Sequence, residues 1–143
     1  MQTTKYSELK NLDSFFDVIY AGLDQLVDGE HFFDFLADDV TFEFRYRFPG
    51  LPEKVSGRDE LIKLFAGVAG AEILHSNGGL VVHQSVDPTV VILEYEVHGT
   101  SLVSGKPYDN RFASIITIKN RKVVYWRDYM DSLAARNAHS VEH

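Results

Sequence analysis

Four long segments in the second half of the chain, about residues 73–86, 89–103, 107–119 and 122–131, read as β-strands parted by very short breaks. The breaks are Asp87-Pro88, Ser104-Gly105-Lys106 and Lys119-Asn120-Arg121. A parallel crossover needs about a dozen residues or more, so separators this short force antiparallel hairpins. The chain must therefore form a meander of long strands, and something upstream has to cover one face of it.

Upstream the apolar period is helical. Leu9, Leu12, Phe15, Phe16, Ile19, Tyr20, Leu23, Leu26 and Val27 recur at steps of three and four, which predicts one helix over about 7–27. Ser7 is its expected N-cap and Asp28-Gly29 its stop. A short second helix is expected over Glu30–Leu36, with Phe32, Phe33, Phe35 and Leu36 inward. From Val40 the period drops to two: Phe42, Phe44, Tyr46 and Phe48 alternate with Glu43, Arg45 and Arg47 as in a half-buried strand. Ser56-Gly57-Arg58-Asp59 has the pattern of a capping box, with Asp in place of Glu, and opens a third helix carrying Leu61, Ile62, Leu64, Phe65 and Val68. The order is three N-terminal helices with one early strand, then the meander: an α+β architecture. After Ser132 the polar tail Ala134–His143 is expected to fray.

Length and charge narrow the class. The 143 residues suit one domain with one core, here about 8–133, and 45% hydrophobic residues suit a folded globule. Fourteen basic against 21 acidic residues leave a net charge of −7, which argues against a nucleic-acid partner. Cysteine is absent, which removes disulfides, thiolate catalysis and Cys-based metal sites. Apolar runs are far short of the roughly 20 residues that span a bilayer, and Met1–Lys5 is followed by no signal-like stretch. A soluble, cytoplasmic protein with no membrane contact is expected. His-Glu-x-x-His, an EF-hand loop, phosphate-cradling glycine motifs and a Gly-x-Ser-x-Gly elbow are all missing, so neither a metal nor a cofactor is indicated.

Strand parity sorts the faces. Val91, Leu93, Tyr95 and Val97 share a core face; Val90, Ile92, Glu94, Glu96 and His98 share a mixed outer face that suits a subunit interface, with His83 beside them. Asn110, Phe112, Ser114 and Ile116 share one face, as do Val124, Trp126, Asp128 and Met130.

The helix–helix–strand opening, the Leu36-Ala37-Asp38-Asp39-Val40-Thr41-Phe42 junction and the Ser56–Asp59 turn resemble the cone-shaped NTF2-like superfamily (a cystatin-like α+β roll), which includes SnoaL-like polyketide cyclases and ketosteroid isomerases. His98-Gly99, Gly105-Lys106-Pro107-Tyr108-Asp109-Asn110 and Trp126-Arg127-Asp128-Tyr129-Met130-Asp131 resemble the phenazine-biosynthesis A/B branch of the SnoaL-like proteins. The resemblance covers about residues 8–133. It implies a curved, mostly antiparallel sheet wrapped around the first helix, one open-ended pocket for a small apolar or aromatic ligand, and a homodimer through the outer sheet face.

Carried over residue by residue, the resemblance is partial. Ketosteroid isomerases have a catalytic Asp directly after a Glu on the first strand; here Glu43 is followed by Phe44. Their second acid falls near Ser114, and their helix-1 Tyr falls on Tyr20 or, with a shorter connection, on Gly22. An Asp–Arg–Asp set of the limonene-epoxide-hydrolase type finds no match. The phenazine-type acid matches Asp128, and a His of that branch matches His75.

Asp128 shares a face with Trp126 and Met130, so it should point into an apolar cavity, where desolvation raises a carboxyl pKa toward that of a general acid. The alternative is an ion pair with Arg111 or Arg127. His75 would form an acid–base partner near neutral pH or else sit at the surface. Tyr20 would donate its hydroxyl to a ligand oxygen or else serve as core. Phe44, Phe65, Tyr95, Phe112 and Trp126 are candidate pocket walls, with Asn110, Ser114 and Met130 on the same faces. His139 and His143 in the tail need no role. Two functions follow. One is a cofactor-free acid/base isomerase, cyclase or condensation enzyme acting on a small apolar ring carbonyl compound. The other is a non-catalytic hydrophobic-ligand-binding or dimeric scaffold protein. An open cavity with Asp128 facing it favours the first; a filled core with Asp128 held by an Arg favours the second.

Overall fold

The computed structural model describes residues 6–141. A 3-10 turn, Ser7–Leu12, leads into helix α1, Asp13–Leu23. Strands β1, Leu36–Phe44, and β2, Lys54–Ser56, precede helix α2, Arg58–Ala69. The meander follows as β3, Glu72–Gln84, β4, Val90–Ser101, β5, Pro107–Lys119, and β6, Lys122–Met130. Helix α3, Ser132–His139, closes the chain. The six strands form one sheet in the order β2-β1-β6-β5-β4-β3, antiparallel except where β1 runs parallel to β6. No helix among the described residues is long and apolar enough to cross a membrane.

The four meander strands match the expected segments to within a few residues. Asn120 and Arg121 both take positive φ, 53° and 61°, as the tight β5–β6 hairpin requires. Arg121 and Lys122 then reach back from that hairpin. Arg121 bonds the Asp28 carboxylate and the carbonyls of Gln25 and Val27; Lys122 bonds the carbonyls of Asp28 and Asp34. These bonds hold the 24–35 connection as a turn, and no second helix forms over 30–36. Phe32, Phe33, Phe35 and Leu36 are all at most 1% exposed, while Glu30 is exposed and His31 and Asp34 are half-buried, so the expected inward residues are inward although the backbone is not helical.

The other local corrections have similar causes. The first helix is broken: its opening turn is 3-10, Ser7 lies inside it, and no side chain caps it. Ser56 stays in β2, paired with Thr41, so the expected capping box does not form and Gly57, at φ +97°, precedes α2 instead. The tail is helical. Asp131 caps α3 by accepting the Ala134 N–H at 3.0 Å, and Ala135 and Ala138 are buried. His143 lies outside the described residues.

Two glycines permit close approach. In α1, a Cβ on Gly22 would lie 2.9 Å from Leu93 Cδ2, so the bare backbone lets the helix press onto β4. In β4, a Cβ on Gly99 would lie 2.0 Å from the Ile73 carbonyl oxygen. Gly99 pairs with Leu74 just where β3 bulges, between Leu74 and Ser76. Such a bulge bends and twists its strand, and a second irregularity between Gly78 and Val81 adds to it. The sheet thereby curls over α1. Gly99→Ala is expected to cost at least about 2 kcal/mol, because the obstacle is backbone rather than a flexible side chain. Thermal denaturation of the variant against the native protein measures this.

Candidate functional site

The core is filled at one end of the cone and open at the other. Phe32 meets Trp126 edge-on at 5.5 Å, and Phe42 stacks on Trp126 at 4.9 Å with the planes 9° apart. Beyond them lies a cavity of about 280 Å³. Its walls are almost wholly apolar: Phe44, Phe65, Phe112 and Met130 line it, as expected, with Leu12, Phe15 and Val97. Its polar lining side chains are Asp128, Glu72, His139, Tyr46 and Tyr108.

Asp128 reaches the cavity because β6 alternates. Trp126 and Asp128 are buried and Arg127 faces the other side of the sheet, near Glu43. A slip in the β5–β6 register between Thr117 and Ile118 shifts the phase upstream, so Val123 is inward where Val124 was expected. Asp128 is 5% exposed. Its Oδ1 accepts the Trp126 indole N–H at 3.0 Å and the Ser114 hydroxyl at 2.9 Å. Ser114 spends its one proton there, so the 2.8 Å bond between Tyr95 and Ser114 is donated by Tyr95. Both donors converge on Oδ1; among the described residues no hydrogen bond reaches Oδ2, and no Arg pairs with Asp128. Burial outweighs the two donors and pushes the Asp128 carboxyl up to about 6.

The expected residues therefore fall into three groups. Phe44, Phe65, Phe112, Met130 and Asp128 line the cavity. Trp126, Ser114 and Tyr95 stand behind Asp128 and hold it. Asn110 is buried and does positioning work of another kind: its amide N–H₂ bonds the Tyr108 hydroxyl at 2.9 Å and Met130 Sδ at 3.3 Å, and its Oδ1 accepts the N–H of Arg111 and of Asp131. His75 and Tyr20 do not join the site. His75 is the extra residue of the β3 bulge, and it faces solvent and bonds Thr100 Oγ1 at 3.0 Å. Tyr20 is 41% exposed. Successive helical side chains turn by about 100°; Val18 on one side of Ile19 is buried, and Tyr20 on the other side leaves the stripe.

Four polar cavity residues, Tyr46, Tyr108, Glu72 and His139, had no site role assigned from the sequence. Tyr46 lies just past the end of β1, and its hydroxyl has no hydrogen bond among the described residues. Burial, then the Asp128 charge, drives its pKa far above the ordinary phenol value, so it is a donor. Its position on the Phe42–Phe48 alternation was the available signal. Glu72 opens β3 at 8% exposure, and His139 comes from α3 to bond it at 3.1 Å. No local pattern marked that pair, since the two are 67 positions apart.

A curled sheet closed over a helix, with one apolar cavity and a buried acid in its wall, defines a pocket protein of the NTF2-like class. Residues 15–126 match the SnoaL-like domain, and the chain belongs to that family. It is 27% identical to the uncharacterized protein YesE of Bacillus subtilis (strain 168) over 101 residues, 71% of this chain and 69% of that one. Among solved structures, a Bacillus subtilis protein named as a candidate isomerase superposes with a TM-score of 0.73 at 22% identity, over 96% of this chain and 99% of its own. A phenazine biosynthesis-related protein of Pseudomonas aeruginosa superposes with a TM-score of 0.64 at 19% identity, over 78% of this chain and 72% of its own.

The raised carboxyl makes a signed prediction. The folded Asp128 binds its proton more tightly than the unfolded one, so native stability falls as pH rises from about 4 to about 6 and the full cost, of order 3 kcal/mol, is present above that window. Asp128→Asn keeps an oxygen for both donors and removes the charge. Its melting temperature is expected to exceed that of the native protein above pH 6, and the gap to close below pH 4, in parallel melts across that range.

Proposed function

We propose that this protein is an acid/base enzyme of the isomerase, cyclase or condensation type, working without a cofactor on a small apolar ring carbonyl compound. The observation that supports this most is the asymmetry of Asp128: both protein donors sit on one carboxyl oxygen, and the other is left to an apolar cavity. A carboxyl titrating near 6 is protonated often enough at neutral pH to donate.

In this reading the ring enters the cavity between Phe44, Phe65 and Phe112. Asp128 donates its proton to the carbonyl oxygen as the C–H bond next to the carbonyl breaks and that proton leaves to solvent. The product is an enol, the common first step of isomerisation, cyclisation and condensation of ketones. The new carboxylate is held by the Trp126 N–H and the Ser114 O–H, backed by Tyr95; such prepositioned donors stabilise charge where it develops. Tyr46 takes the part expected of Tyr20, supplying a second O–H in the same cavity. The likeness to phenazine-related and isomerase-named structures concerns the fold, and it supports the reading only by analogy.

The protein is further proposed to act in the cytoplasm as a homodimer through the outer sheet face. There Ile92 and Ile115 lie side by side across β4 and β5, next to Val90 and the exposed Val81. Sedimentation velocity is expected to give twice the 16.2 kDa chain mass; a monomer at all concentrations would contradict the dimer.

The catalytic reading is tested with cyclic ketones, first by thermal shift, since a ligand that binds only the native state raises its melting point, then by deuterium uptake at the carbon beside the carbonyl. Exchange is expected with the native protein and to fall at least about 100-fold in Asp128→Asn with ligand binding kept, within the range general acid catalysis contributes. Equal exchange by that variant removes Asp128 as the acid.

A further inference from the structure

Glu72 and His139 form a second polar pole in the cavity, supplied by the two elements that bound its α3 end. Ser101, paired with Glu72 across β3 and β4, settles where the protons lie. Its Oγ accepts the backbone N–H groups of Val103 at 3.1 Å and Ser104 at 3.2 Å, which uses both lone pairs. Its own proton is thus donated to His139 Nδ1, 2.7 Å away. The imidazole proton is on Nε2, and it is donated to Glu72 Oε1 at 3.1 Å. The histidine therefore faces Glu72 with an N–H donor.

Glu72 is left with one side-chain hydrogen bond at 8% exposure. Its second oxygen has no hydrogen bond among the described residues, and no Lys or Arg lines the cavity. A buried carboxylate without an opposite charge is costly. The surroundings suit a cation from outside: the Tyr108 ring stacks against His139 at 5.4 Å, Phe48 meets it edge-on at 6.4 Å, and both rings line the cavity. Aromatic faces attract ammonium groups.

We infer that Glu72 is a substrate-recognition residue that takes the protonated amino group of a ring compound, with His139 orienting its carboxylate. This rests on the reading that the cavity binds a small ring ligand and names its second functional group: an amine at the Glu72 pole, with the carbonyl at the Asp128 pole. Both carboxyls line the same cavity, so a ligand seated there meets both poles.

The test compares benzylamine, benzyl alcohol and benzoate, which share a ring and differ in charge, by calorimetric titration at neutral pH. The native protein is expected to bind benzylamine at least about tenfold tighter than the alcohol, and benzoate weakest. Glu72→Gln is expected to bring amine and alcohol within about twofold while the alcohol's affinity is unchanged, and Asp128→Asn to keep the preference. Equal binding of amine and alcohol by the native protein, a comparison that needs no variant, overturns the inference, as does a preference that survives Glu72→Gln. If none of the three binds, the ligand-cavity reading is itself wrong and the inference falls with it. If benzylamine is preferred but Asp128→Asn leaves deuterium exchange intact, recognition at Glu72 stands and the acid role of Asp128 does not.

Discussion

The stacking of Phe42 on Trp126 joins the first strand of the chain to its last. The two rings lie on β1 and β6, paired in parallel register, so the sheet that begins and ends the fold is held by their contact. Burial of two large aromatic faces contributes several kcal/mol, and the offset geometry adds about 1 kcal/mol more. The same contact fixes the plane of the indole. Its N–H then points at Asp128, two residues on along β6. The interaction that seals the packed end of the cone therefore also orients the acid in the cavity wall, and packing and chemistry cannot be varied independently at Trp126.

The cavity exists because the curl and the filling do not match. The bulges of β3 and the close approach at Gly99 bend the sheet more than the helices can fill. Phe16, Phe32 and Phe33 occupy the end nearer the 24–35 turn, with Phe65 between them and the cavity, while the other end keeps a hollow lined by aromatic rings. Two carboxyls stand in its wall with different partners. Asp128 has donors on one oxygen and no cation, which favours its protonated form. Glu72 is anchored by a histidine whose proton is directed at it. In the proposed reading one acid gives a proton and the other accepts a charge, so the hollow would discriminate between the ends of a ligand.

What the sequence disclosed follows physical locality. Strand parity along β4, β5 and β6 depends only on alternate residues, so Tyr95, Asn110, Phe112, Ser114, Trp126 and Asp128 all fell on the inner side as read. The short separators fixed the antiparallel meander for the same reason. Parity failed where a register slip intervened, at Val124, and the surface place of His75 at the β3 bulge is set by backbone pairing that no side-chain pattern records. Tyr20 was lost by one helical step of about 100°. The segment 30–36 misled because Phe32, Phe33, Phe35 and Leu36 inward with His31 and Asp34 half-buried is also the pattern of a helix, while bonds from Lys122 hold its backbone as a turn, and the short run of alanines in 132–139 carries too little apolar surface to announce a helix.

The last of these had the largest consequence, because α3 brings His139 to Glu72. Ala135 and Ala138 give the helix little buried area, and by propensity alone eight residues are too few to be stable in water. The helix is instead kept by polar bonds: the Asp131 cap, itself fixed by Asn110, at one end, and at the other the contacts of His139 with Ser101 and Glu72 and of Ser104 with the Ala138 carbonyl. Apart from the Asp131 cap, those bonds are long-range in sequence and invisible to any local reading. They also tie Glu72 to the helix that lines the cavity, since the histidine that bonds Glu72 is the same residue that docks the helix. A ligand that bonds Glu72 would thus stabilise the docked helix, and the loss of the helix would leave Glu72 without its donor at an opened cavity.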